Sequence, residues 1–368
     1  MHEPNHPLTR TTDSKQLYER SRLHITDEDE RKTRYALYYE AIPTDPTMIF
    51  YESMGGTRMM DNPLAIFRAA CADGRFEDYT HVWSVSAFAT IPNEYKNRRN
   101  IIFVCRHTDM YMQYLAKSGY LICNSTFPDY FVRKPNQRYL NTWHGIAYKR
   151  VGRGPESPIG GVYAVYNLLQ ATHILSPCPF MTDIQLYTMG LNGVYSGELA
   201  ESGYPRIDMT MTVSDEAKRA SAAALSIDPS RQTVLYAPTW RGGEGESSFD
   251  TTRLERDLNA LAELDANIIF LGHHLMMKHI KGKNFGSVIL PPQDSNTNEL
   301  LALADILITD YSSIFFDFLV TGKPIIHYMY DYNDYSVNRG LNLSVADLPG
   351  DVCYDSDDMV GLVKRSLS

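Results

Sequence analysis

The sequence contains no apolar run long enough to cross a bilayer, and no apolar core of a signal peptide near its N-terminus. Any membrane contact is therefore expected to be peripheral. Cysteine is scarce: Cys71, Cys105, Cys123, Cys178 and Cys353 are odd in number, far apart and mostly set in apolar runs. That excludes a disulfide framework and offers no zinc spacing, so reduced, buried thiols in a cytoplasmic protein are expected. Basic residues are outnumbered 35 to 44, for a net charge of −9, which argues against broad nucleic-acid binding. An anionic ligand would need local basic groups. Internal repeats, low-complexity tracts and heptads are also missing.

What is present is an alternation. Across 368 residues, enough for two cores, short apolar β-branched runs recur between helical patterns. Strands are expected at Met48 to Tyr51, His81 to Val85, Ile101 to Cys105, Tyr120 to Cys123, Thr172 to Ser176, Thr233 to Tyr236, Asn267 to Leu271 and Pro324 to Tyr328. Helices are expected at Asp27 to Ile42, Leu64 to Ala72 behind an Asp61-Asn62-Pro63 cap, Asp109 to Lys117, Asp215 to Leu225 and Asp250 to Leu264. This spacing predicts an α/β fold with parallel sheets. The expected divisions are an extension over 1–46, a first Rossmann-like domain over 47–210 and a second over 211–368, with the last helix a candidate to cross back to the first.

Glu299 to Asp331 is the most informative stretch. Ile306-Leu307-Ile308 reads as a strand, Thr309-Asp310-Tyr311-Ser312-Ser313 as a turn, Ile314 to Val320 as a helix, and Gly322 as its stop before the next strand. Ser312 and Ser313 then lie past the carboxyl end of a strand, where α/β sheets bind anionic ligands. The same residues also suit an ordinary helix cap, and the stretch alone does not choose between the two.

Other loops past strand ends carry chemistry. Arg138 to Thr142 leads into Trp143-His144-Gly145, then into a basic loop with Lys149, Arg150 and Arg153 that runs glycine- and proline-rich through Gly161. Histidine is suited to proton transfer near neutral pH. Ala237-Pro238-Thr239-Trp240-Arg241 and Gly272-His273-His274 follow two later strands. Adjacent histidines cannot easily face one ion, and no metal site is expected. The stretch Glu201 to Asp208, with Gly-Tyr-Pro-Arg, reads as a loop closing the first domain.

In order, TWHG with KRVG, GYPRID, YAPTWR, the histidine after the apolar run, NELLALADILITDYSSIFFDF and TGKPIIHY resemble the CDP-glycerol or CDP-ribitol glycerophosphotransferases, the teichoic-acid primases and polymerases. The resemblance runs from about Met48 to the C-terminus. It implies a glycosyltransferase-B-like fold, two Rossmann-like domains facing a cleft, with the acceptor on the first and the CDP-polyol on the second. It implies that an acceptor hydroxyl attacks the polyol-bearing phosphorus and CMP leaves, in the synthesis of a teichoic-acid-like or capsular polymer.

By motif position His144 resembles the general base, and His273 the group that stabilises or protonates the leaving phosphate. Arg241, Ser312 and Ser313 are expected at the donor, with Thr239 and Tyr311 beside them. Asp310 is expected to organise its loop. Lys149, Arg150 and Arg153 are expected to hold the phosphate of a polymer or lipid-linked acceptor, which would place the protein at the inner face of the plasma membrane. No cofactor is implied beyond the CDP-polyol substrate. Three departures from the family pattern matter: Ile146-Ala147 for Thr-Pro leaves the acceptor open, Leu271 for an arginine leaves one phosphate contact missing or supplied elsewhere, and Leu341-Asn342-Leu343 for an aromatic run leaves the polyol open. A nucleotide-sugar hexosyltransferase and an inactive nucleotide-binding scaffold are the competing readings.

Overall fold

The structure, a computed structural model, describes residues 14–20, 22–151, 158–239, 241, 250–273, 276–277, 280, 282–283, 285–292 and 295–368. The chain divides into two compact units, Met1–His144 with Gly152–Arg206, and Gly145–Val151 with Ile207–Ser368. The seven residues after His144 thus pack with the second unit, although both neighbouring stretches pack with the first.

The first unit is built on seven parallel strands: β1 (Asp45–Glu52), β2 (Thr80–Ser84), β3 (Ile101–Val104), β4 (Ser118–Cys123), β5 (Arg138–Asn141), β6 (His173–Ser176) and β7 (Glu198–Glu201). Their order is β3-β2-β1-β4-β5-β6-β7. Successive residues of a strand face opposite sides, so Phe50 packs edge-on against Tyr111 while Tyr51 stacks on Trp83. Each such ring, taken out of water, stabilises the fold by roughly 1.5–3 kcal/mol. The helix Glu28–Ala41 is capped by Asp27 and tied down by Arg34 and Tyr38, which both donate to Asp109 at 2.7 Å.

The second unit holds five parallel strands, β8 (Thr233–Ala237), β9 (Asn267–Phe270), β10 (Ile306–Thr309), β11 (Ile325–Tyr328) and β12 (Asp351–Cys353), in the order β12-β11-β10-β8-β9. One face buries Val234, Ile268 and Ile308 under the helices Thr251–Ala262 and Ser356–Leu367. The other buries Leu235, Ile269 and Leu307 with Phe315, Phe318 and Tyr148. Among the described residues no helix is long and apolar enough to cross a membrane.

Several local expectations are corrected. Asp61 is not a cap: Met60 occupies that position, while Asp61 is buried in the first turn of the helix Asp61–Ala72. The glycine-rich loop ends earlier than expected, because Pro158 opens the helix Pro158–Leu169, and proline is well suited to a first turn. The closing loop contains the strand β7 and the helix Pro205–Met211. The helix after Ser313 runs only over Ile314–Phe318 before tightening to a 3-10 turn, and Gly322 ends it with φ +65°.

Candidate active site

In each sheet, two central neighbouring strands have connections leading away in opposite directions, leaving a crevice at their carboxyl ends where ligands of such folds bind. The pair is β1 and β4 in the first unit, and β8 and β10 in the second. The loops with Thr239 and with Ser312 and Ser313 follow the second pair, while His144 and His273 follow strands next to a pair, β5 and β9.

In the second unit the anchor is Asp310, directly after β10. Its carboxylate accepts from the Thr239 amide at 2.9 and 3.0 Å and from the Tyr311 amide at 2.5 Å, so it joins the loop after β8 to its own. Arg241 completes the bracket. Its Nη1 donates to Asp310 at 2.8 Å, and its Nε and Nη2 donate to Asp331 at 2.5 and 3.0 Å. The rings of Tyr311, Tyr330 and Tyr335 stand 4.9, 5.3 and 5.0 Å from the guanidinium. Burial works against its charge, but the Asp310 carboxylate and the Asp331 hydrogen bond hold its pKa above the ordinary arginine value. Arg241 is therefore committed to two carboxylates inside the unit.

Tyr311 is likewise internal. It is fully buried, stacks on Tyr335 at 3.7 Å and donates to Asp331 at 3.1 Å. Ser312 and Ser313 are half-buried. Ser312 Oγ accepts from the Ile314 amide at 3.3 Å, while Ser313, at the cap position, makes no side-chain capping bond. With a helix of five residues behind them, the hydroxyls matter more here than a helix dipole. His273 lies past the end of β9 with its side chain exposed, and its carbonyl accepts from the Met277 amide. Thr239, Arg241, His273, Tyr311, Ser312 and Ser313 all fall along one edge of the second sheet. Trp240 and His274 lie outside the described residues.

Lys149 and Arg150 sit on the segment that follows His144 but belongs to the second unit. Lys149 bridges to Leu341, and the Arg150 amide donates to Gly340 at 3.1 Å. Asn342 holds the ribbon: its side chain donates to the carbonyls of Ala147 and Lys149 at 2.8 and 3.1 Å. Arg150 is exposed, Lys149 half-buried, and Arg153 lies outside the described residues. Replacing Asn342 by alanine is expected to cost about 1–3 kcal/mol locally and to speed hydrogen exchange at the Arg150 amide. Exchange at the wild-type rate would contradict the clamp.

In the first unit, His144 follows β5 in a tight elbow. Trp143 adopts φ +51° and its ring stacks on the imidazole with centroids 4.5 Å apart. The ring's Nδ1 lies 2.9 Å from the Asn124 carbonyl, just past β4. A carbonyl can only accept, so the neutral imidazole carries its proton on Nδ1 and leaves the Nε2 lone pair free. Surrounding protein lowers the imidazole pKa, chiefly by displacing water; Arg206 adds to this, and the Asn124 carbonyl and Asp61 carboxylate oppose it. The residue as a whole is nonetheless exposed to solvent. Its imidazole is neutral at neutral pH.

The residues holding this elbow were not singled out as functional in the sequence. Asn62 donates to the Trp143 carbonyl at 3.3 Å and Arg206 to the His144 carbonyl at 2.9 Å. Their only signal was position, since the Asp-Asn-Pro and Gly-Tyr-Pro-Arg strings read as a cap and a turn. Among the described residues no three His, Cys, Asp or Glu side chains converge as a metal site would require.

Residues 34–368 match the family model for CDP-glycerol:poly(glycerophosphate) glycerophosphotransferase. The chain is 28% identical over 318 residues to the teichoic acid poly(glycerol phosphate) polymerase of Bacillus spizizenii, covering 82% of this chain and 78% of that protein. It is 26% identical over 355 residues to the Bacillus subtilis polymerase of the same name, covering 91% of this chain but only 46% of that longer relative. Among solved structures, a variant of the wall teichoic acid polymerase TagF superposes with a TM-score of 0.77 at 23% identity, covering 92% of this chain and 86% of that one. That likeness speaks for the fold, a pair of Rossmann-like units of the glycosyltransferase-B-like kind.

Proposed function

Since this chain belongs to the CDP-glycerol:poly(glycerophosphate) glycerophosphotransferase family and is a transferase of that class, we propose that it moves glycerol phosphate from CDP-glycerol to a hydroxyl of a teichoic-acid-like acceptor. The observation that carries the reading is the 2.9 Å contact between His144 Nδ1 and the Asn124 backbone carbonyl, an acceptor that calls for the proton on Nδ1 and so leaves Nε2 as an acceptor.

In this reaction the acceptor oxygen attacks the phosphorus bearing the glycerol as His144 Nε2 takes its proton. The bond from that phosphorus to the CMP oxygen breaks, and negative charge builds on the leaving phosphate. Charge of this kind is best met by donors already in place. Ser312, Ser313 and Thr239 supply hydroxyls, and His273 supplies a hydrogen bond or proton to the departing CMP. Arg241 and Tyr311 act from behind, through Asp310 and Asp331, by fixing the loops that carry these groups. Lys149 and Arg150, with Arg153, bind the phosphate of the incoming chain. A lipid-linked acceptor would bring the enzyme to the inner face of the plasma membrane as a peripheral protein. The relatives compared favour glycerol over ribitol as the polyol.

The test is CMP release from CDP-glycerol, CDP-ribitol and UDP- and GDP-sugars, each with and without a poly(glycerol phosphate) acceptor. Acceptor-dependent turnover of CDP-glycerol is expected, with CDP-ribitol slower. Turnover of the nucleotide sugars alone would overturn the proposal in favour of a hexosyltransferase.

A further inference from the structure

We propose that Asp61 is a positioning residue for His144, holding the imidazole and its peptide in place at two points through Asn124 and Arg206. The inference rests on the reading of His144 as the base.

Asp61 stands 83 residues before His144 and is 8% exposed. Its backbone adopts φ +63°, a left-handed conformation uncommon outside glycine that aspartate tolerates better than most residues. That conformation places the carboxylate among three donors. Oδ1 accepts from the Asn62 amide at 2.6 Å and from Arg206 Nη1 at 2.8 Å, and Oδ2 accepts from Asn124 Nδ2 at 2.7 Å. Each partner then reaches the imidazole loop. The Asn124 backbone carbonyl accepts from the Nδ1–H of His144, and Arg206 Nη1 donates to the His144 carbonyl. Asn62 closes the figure by accepting from the Arg206 amide at 3.1 Å and donating to the Trp143 carbonyl.

The arrangement does the work of a carboxylate bonded to a histidine, with one residue interposed. The charged groups facing the ring are Asp61 and Arg206, and their effects on its basicity oppose each other. The carboxylate therefore acts mainly through geometry. An amide at position 61 would turn an NH₂ group toward either Arg206 or Asn124, donor against donor. Either mismatch would weaken the tie to the Asn124 side chain, loosen the residue whose backbone carbonyl holds Nδ1, and release the imidazole to the other tautomer.

The test compares wild type, Asp61→Asn and the double variant Asp61→Asn with Arg206→Gln, which removes both buried charges and guards against misfolding of the single change. Nitrogen-15 NMR of histidine-labelled full-length protein reads the tautomer directly, with the His144 signal assigned by its loss in His144→Gln. The wild type is expected to show the Nδ1–H form, and both variants a substantial Nε2–H population. In parallel, kcat for CMP release should fall roughly 10- to 100-fold while KM for CDP-glycerol stays within about twofold. A folded variant retaining the wild-type tautomer would overturn the proposal, whatever its activity. A shifted tautomer with unchanged kcat would uphold the positioning role and count instead against His144 as the base.

Discussion

His144→Gln is expected to slow CMP release from CDP-glycerol by roughly 10²- to 10⁴-fold, the range a positioned general base contributes. Glutamine keeps the bulk and some hydrogen-bonding capacity but cannot accept a proton at neutral pH. The donor is proposed to bind on the second unit, so its affinity should be nearly unchanged, and the loss should appear in kcat. Equilibrium binding of CDP-glycerol, measured alongside turnover, separates the cases. A variant that loses donor affinity in proportion to its rate would show that His144 serves binding. One that keeps wild-type turnover would remove it from the chemistry.

The second large effect is expected at Arg241, and it should be one of stability first. Arg241→Met would leave Asp310 and Asp331 facing each other without their shared cation, while Asp310 stays pinned by the amides of Thr239 and Tyr311. Removing one member of a buried ion pair typically costs about 3–5 kcal/mol, because the remaining charge is stranded. In a unit of this size that should lower the unfolding temperature by on the order of 10 °C. Calorimetry of the full chain, combined with KM for CDP-glycerol below the transition, tells bracing from direct contact. An unshifted transition with a much raised KM would make Arg241 a phosphate ligand instead of a brace.

The parts of the fold legible in the sequence were those with strong local contrast. Ile306 to Thr309, a fully buried strand running into Asp310, and the φ +65° stop at Gly322 both follow from residue types a few positions apart. Strand β7 was missed because Glu198-Leu199-Ala200-Glu201 lies at the sheet edge, only half-buried, and has no apolar run. The helix Pro205–Met211 was hidden by the Gly-Tyr-Pro that precedes and opens it.

The site divides in the same way. His144 and the two serines announced themselves by chemistry and position in a loop. The pairing of Asp61 with Arg206, 145 residues apart, and of Arg241 with Asp331, 90 apart, exists only once the strands are assembled. Nothing in a local window distinguishes an aspartate that caps a helix from one that holds a buried guanidinium. For the same reason the bonds of Arg241 to Asp310, Asp331 and the Thr239 carbonyl were not legible in its own loop.

The proposed transfer needs a neutral His144 whose Nε2 takes the acceptor's proton, and the pH dependence of kcat/KM for CMP release tests this most directly. A base must be unprotonated to act, and the surroundings of His144 lower its pKa from the usual value of about 6.5. The rate should therefore hold level as pH falls through 7 and drop only below about 6.5, and the residual rate of His144→Gln should lack that acid limb. An inflection above 7, or the same acid limb in wild type and variant, would contradict it.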